Sequence, residues 1–124
     1  MIHLLHDDTF ETQVERTEGP VLVLFGQEAC GHCRALEAQL ERVAHTMGRR
    51  LTIGKIDVQQ DRQIASELEV TTLPALALYD RGRFVQWIGG LGTAEAICAQ
   101  VTQALHRSQE TIAGDAPDMK APAE

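Results

Sequence analysis

The sequence predicts a single α/β domain built on a partly parallel sheet, and three observations carry that reading. Short apolar runs alternate with stretches of helical periodicity along most of the 124 residues. One run, Val21-Leu22-Val23-Leu24-Phe25, contains no polar residue, as expected of a strand covered on both faces. Shortly after it, Cys30-Gly31-His32-Cys33 opens a helical pattern and so places two thiols where a helix begins.

The elements follow in order. Residues 2–5 read as a short strand. Asp7 or Asp8 can cap a helix with Phe10 and Val14 on one face, which Gly19-Pro20 ends before the buried strand at 21–25. From Gly31 to about Met47 the apolar residues Leu36, Leu40, Val43, Ala44 and Met47 recur at three and four, the mark of an amphipathic helix, and Gly48 closes it. Residues 51–58 alternate as a third strand, with Leu51, Ile53 and Lys55 on one side and Thr52, Gly54, Ile56 and Val58 on the other. A short helix from Asp61 turns Ile64, Ala65 and Leu68 inward, and Val70-Thr71-Thr72-Leu73-Pro74 breaks it. Residues 75–79 and 84–88 form a hairpin across Asp80-Arg81-Gly82-Arg83, where glycine is available for a positive φ. Gly89, Gly90 and Gly92 end the hairpin, and Thr93 caps a last helix with Ile97, Cys98, Val101 and Leu105 inward. After His106 the composition turns to proline, alanine and charge, so the domain is placed at 1–107 and a flexible tail at 108–124.

Composition narrows the function. A chain of this length can bury a core without metals or disulfides as staples. It carries three cysteines, an odd number, and residues 1–5 run straight into Asp7 and Asp8 with no leader pattern. Both features favour redox chemistry in the cytoplasm over a secreted disulfide scaffold. The longest apolar runs, about five residues, are far below the ~20 that cross a bilayer, so no membrane association is expected. A net charge of −7 with no basic stripe argues against nucleic acid as a partner. His3, His6, His45 and His106 show no ligand spacing.

The cysteine pair carries the chemistry. Unpaired N–H groups in a first helical turn, with the positive end of the helix dipole, favour a thiolate, which makes Cys30 the nucleophile. Residues three apart on a helix have Cα atoms about 5–6 Å apart, inside the roughly 4.4–6.8 Å that a disulfide accepts, so Cys33 can close a ring with Cys30 as the resolving sulfur. Cys30 would attack a substrate disulfide and Cys33 would then release the reduced product, with Gly31 and His32 tuning the potential. Zinc or an iron-sulfur cluster is a competing use of the same thiols, but one C-x-x-C supplies only two sulfurs and needs another chain or distant ligands. Cys98 reads as a small buried apolar residue, and Trp87 as packing.

The order strand, helix, strand, C-x-x-C helix, strand, helix, X-Pro, hairpin, helix resembles the thioredoxin family over roughly residues 2–107. The resemblance rests on Ile2-His3-Leu4 with Asp7-Asp8-Thr9-Phe10, the apolar run at 21–25, the C-x-x-C and Thr72-Leu73-Pro74. It implies a thioredoxin fold, a five-stranded mixed sheet in the order 1-3-2-4-5 flanked by four helices, with a cis Leu73-Pro74 bond. It further implies a thiol-disulfide oxidoreductase that needs no cofactor or metal, acts on protein disulfides or dithiols and draws on a thioredoxin-reductase-like donor. Thr72, Leu73 and Pro74 would bind substrate, the backbone of Leu73 by strand addition with Thr72 and Ala75 flanking the groove. Gly31-His32 matches the dipeptide of protein disulfide isomerases, whereas thioredoxins usually carry Gly-Pro. The family potentials are about −180 and −270 mV respectively, so the expectation is a cytoplasmic reductase with a raised potential.

The departures from the family pattern are specific. Leu24 stands where thioredoxins usually bury an aspartate credited with handling the proton of the second cysteine. Cys33 would then sit in a more apolar setting, and resolution would be slow. Lys55 loses its family partner, and Glu28 is the candidate substitute, although its place before the motif suggests a solvated loop residue. Ala29 and Gly26 replace aromatics, which leaves a shallower rim and opens a second reading, a partner-binding or chaperone module with weak redox activity.

Overall fold

The computed structural model describes residues 1–89 and 92–114, with side chains through residue 109. Five strands, β1 (Ile2–Leu5), β2 (Pro20–Gly26), β3 (Thr52–Asp57), β4 (Ala75–Asp80) and β5 (Arg83–Ile88), form one mixed sheet in the order β1-β3-β2-β4-β5. Strand β2 is its centre, parallel to β3 and antiparallel to β4. Its run of apolar residues has a physical counterpart on each face. Leu22 and Leu24 pack into one core cluster, and Val21, Val23 and Phe25 into the other.

Three α-helices and one irregular helical segment supply those clusters. Helices α1 (Gly31–Met47) and α3 (Ala94–Gly114) cover the Leu22 face, through Leu36, Leu40, Val43 and Met47 of the first and Ile97, Val101, Ala104 and Leu105 of the second. On the Val23 face lie Phe10 and Val14 of the irregular segment, a 3-10 turn at Asp7–Thr9 followed by a π-type turn at Glu11–Glu15, and Ile64 and Ala65 of α2 (Gln63–Glu67). The alternation read in β3 holds: Leu51 and Ile53 belong to the α1 side, Ile56 and Val58 to the other. Thr93 caps α3, its hydroxyl accepting the N–H of Ala96 at 3.1 Å.

Two expectations are revised. Neither Asp7 nor Asp8 occupies the cap of the first helical segment, where His6 stands in extended conformation. Asp7 instead caps α2, its carboxylate accepting the N–H groups of Gln63 at 2.9 Å and Ile64 at 3.0 Å. Parallel pairing of β1 with β3 brings the two segments together, a contact across 56 residues that local spacing cannot express. The composition change at 108 also does not end the last helix, whose backbone continues to Gly114. Gly90 and the rest of the expected tail, 115–124, lie outside the described residues.

The β4–β5 hairpin turns on Arg81 and Gly82, with φ of 55° and 79°. Two successive positive φ values match the right-handed twist of the flanking strands. Gly82 is further required by close approach, since a Cβ there would run into the carbonyl oxygen of Glu15. The turn flanks Asp80, a buried carboxylate that accepts from Arg81 at 3.2 Å.

Asp61 ties the end of β1 to the start of α2. It accepts the N–H of Asp7 at 3.0 Å and bonds Nδ1 of His6 at 2.9 Å. The Asp7 N–H, then the His6 bond, hold the Asp61 carboxyl below its usual range, and the bond to Asp61 raises His6 above its ordinary 6.5. The His6 contribution to stability is full below pH 6.5 and is lost as pH rises through the raised value. The Asp61 contribution is full above 3.8 and is lost as pH falls through the lowered value. Calorimetric melting of the wild type should therefore decline on both flanks of this window, and His6→Ala should flatten the alkaline flank. Asp7→Ala should lower unfolding stability by about 1–2 kcal/mol in urea titrations, the usual cost of an emptied helix cap.

Candidate active site

Strand β2 ends at Gly26, a turn closes with the Cys30 N–H donating to the Gln27 carbonyl at 3.1 Å, and α1 begins at Gly31. Cys30 is the N-cap residue, extended at φ −93° and ψ 108°, and its Sγ accepts the backbone N–H of Cys33 at 3.0 Å. The sulfur thus occupies the place where a serine or aspartate oxygen usually caps a helix, facing N–H groups that stabilise negative charge. The two cysteines are joined as a disulfide with Cα atoms 5.2 Å apart. Cys30 is partly exposed, whereas Cys33 is 5 % exposed. Gly31 and His32 lie exposed between them.

A cleft of about 320 Å³ runs from Cys33 toward the β1–β3 edge, lined in part by Leu24, Gly26, Glu37, Lys55 and Asp61. Gly26 lets the Cys33 side chain pack directly against the end of β2, since a Cβ at that position would sit 3.0 Å from the Cys33 Sγ. Leu24 is buried among α1 side chains and pairs in register with Lys55 on β3. Register partners share a face, so Lys55 points toward α1. There its ammonium meets Glu37 at 2.6 Å, with both groups partly exposed.

Glu37 is the site residue that sequence reading missed. Glu28, the expected substitute for the lost aspartate, is exposed, and its backbone carbonyl accepts from Arg34. Two signals pointed to Glu37: it lies four residues after Cys33 on one helix, and Lys55 falls on the side of β3 that Leu51 and Ile53 share. Joining them required knowing that α1 crosses over β3.

The remaining residues sort clearly. The Leu73-Pro74 bond is cis, with Thr72 exposed and Leu73 and Pro74 partly buried just before β4. Ala75 pairs with Phe25, so this segment arrives beside the end of β2 that leads into Cys30. Trp87 contacts Phe25 and Phe84 edge-on at centroid distances of 6.2 and 5.3 Å and is 39% exposed, so the expectation that it serves as packing is met only in part. Cys98 is a free cysteine at the margin of the α1–α3 core, and burial, then Glu95, pushes its thiol up. Among the described residues, no three His, Cys, Asp or Glu side chains group as a metal site, and no helix is long and apolar enough to cross a membrane.

A family model described as Thioredoxin matches residues 1–103. A thioredoxin of Streptomyces clavuligerus is 38% identical over 84 residues, covering 68% of this chain and 78% of that protein. One of Mycolicibacterium smegmatis is 35% identical over 101 residues, covering 80% of this chain and 90% of its own. A bifunctional thioredoxin reductase/thioredoxin of Mycobacterium leprae is 33% identical over 84 residues, which are 68% of this chain and 18% of that longer protein.

The three sulfurs should separate by reactivity. In the reduced protein at neutral pH, a small alkylating agent should label Cys30 first, with Cys33 and Cys98 slower by roughly tenfold or more. Labelling of Cys98 should still be accelerating above its ordinary 9.0. Peptide mapping of a time course reads both, and earliest labelling at Cys33 or Cys98 contradicts the arrangement.

Proposed function

This chain belongs to the thioredoxin family and is a thiol-disulfide oxidoreductase, and on that footing we propose that it reduces protein disulfides with Cys30 attacking and Cys33 resolving. The observation that carries the assignment of roles is the asymmetry of the pair. One sulfur caps α1 and reaches solvent, while the other is buried a turn further on.

The Cys30 thiolate attacks a substrate disulfide, a Cys30–substrate bond forms, and one substrate sulfur leaves with the electron pair. Cys33, deprotonated, then attacks Cys30, forming the intramolecular disulfide while the second substrate sulfur leaves and takes a proton from solvent. The substrate is reduced by two electrons and the dithiol is oxidised by two. Thr72, Leu73 and Pro74 bind an extended substrate backbone beside Cys30, a reading supported by the register of Ala75 against Phe25. Gly31 and His32, exposed between the sulfurs, tune the potential.

Regeneration falls to a thioredoxin-reductase-like donor, a proposal supported by the fusion of both activities in the Mycobacterium leprae relative. The place of action we propose is the cytoplasm, whose reducing poise suits a dithiol that must be returned to its reduced form. A narrower partner range is favoured by one observation: Ala29 is exposed and Gly26 carries no side chain, so the rim offers no aromatic surface at these positions.

Equilibration in glutathione buffers, with the Cys30–Cys33 disulfide quantified by alkylation and mass spectrometry, tests direction. A two-electron transition nearer about −270 mV than −180 mV is expected, and a value at or above −180 mV would favour oxidation or isomerisation instead. Cys33→Ser should trap a mixed disulfide with substrate, and Cys30→Ser should abolish turnover.

A further inference from the structure

Resolution asks more of this site than the first attack. Cys33 is buried, where a thiolate loses solvation, and Leu24 beside it has no group that could take its proton. The titratable side chains of the cleft are His6 after β1, Glu28 before α1, Glu37 on α1, Lys55 and Asp57 on β3, and Asp61 before α2. His6 and Asp61 are bonded to each other, Asp57 accepts the N–H of Gln59, and Glu28 lies exposed on its loop. Glu37, although paired with Lys55, differs from these in its place relative to Cys33. It follows Cys33 by one helical turn, a spacing that places two side chains on the same helix face with Cβ atoms about 5–6 Å apart. Its carboxylate is held at the cleft by Lys55, and Lys55 is set by its register with Leu24. A cleft of about 320 Å³ has room for several waters at roughly 30 Å³ each, so a proton can pass from sulfur to carboxylate through water.

We propose that Glu37, positioned by Lys55, accepts the Cys33 proton through cleft water during resolution. The inference rests on the roles given above to Cys30 and Cys33. The step balances: the proton leaves the Cys33 thiol for the Glu37 carboxylate, the Cys33–Cys30 bond forms, the Cys30–substrate bond breaks, and the substrate sulfur departs with the electron pair. Glu37 returns its proton to solvent through the open cleft.

Reduced protein is mixed with glutathione disulfide, quenched in acid at intervals across a pH series, and the Cys30–glutathione adduct is followed by mass spectrometry. Glu37→Gln should form the adduct at the wild-type rate and resolve it roughly tenfold more slowly at neutral pH, the half-maximal pH of resolution moving upward. This loss is smaller than that of an enclosed base because solvent reaches the cleft. Glu37→Asp should restore most of the rate, and Lys55→Met should shift the profile in the same direction as Glu37→Gln. An unchanged pH profile in folded Glu37→Gln, or a shift seen in Glu28→Gln instead, overturns the proposal. If the wild type forms no Cys30 adduct at all, it is the assignment of Cys30 that fails, so the two failures are distinct.

Discussion

The burial of β2 on both faces is the constraint from which the rest of the molecule follows. A strand so apolar has to be covered above and below, which places α1 and α3 on one side and α2 with the irregular segment on the other. It also has to satisfy both edges, which β3 does in parallel and β4 antiparallel. That central position makes the end of β2 a rigid platform. The chain leaving it at Gly26 has only a short turn before Cys30, and the segment entering β4 is brought beside the same point by the pairing of Ala75 with Phe25.

Helix α1 then divides the labour between two chemically identical side chains. Its first residues expose N–H groups that need an acceptor, and the Cys30 sulfur provides one. Three residues later, nearly one turn further along the same side, Cys33 is buried. One further turn places Glu37 over Lys55. A single amphipathic helix therefore carries an accessible sulfur, a buried sulfur and a carboxylate in sequence along one side.

The substitutions that depart from the family pattern become coherent around this geometry. Leu24 adds to the apolar core beneath α1, and Gly26 leaves the space that the Cys33 side chain occupies. Lys55, whose register partner Leu24 carries no charge, is met by a carboxylate on the helix. The pair sits in a partly solvated cleft, where its desolvation cost is smaller than in the interior.

Periodicity and punctuation in the sequence determined the elements, because helix and strand periods depend only on neighbours within a few residues. The runs at 21–25 and 31–47, the capping Thr93, the glycine of the hairpin turn and the pairing of Cys30 with Cys33 were all legible on those grounds. Four things were decided by tertiary structure alone. Asp7 caps a helix 56 residues away, Lys55 finds Glu37, Gly82 accommodates the Glu15 carbonyl, and the last helix runs through a stretch whose composition suggested a tail. The first three depend on which segments the parallel sheet and its crossovers bring side by side. The fourth depends on a helix already anchored by Ile97, Val101 and Leu105, which can propagate one hydrogen bond per residue where an isolated segment of that composition would not nucleate.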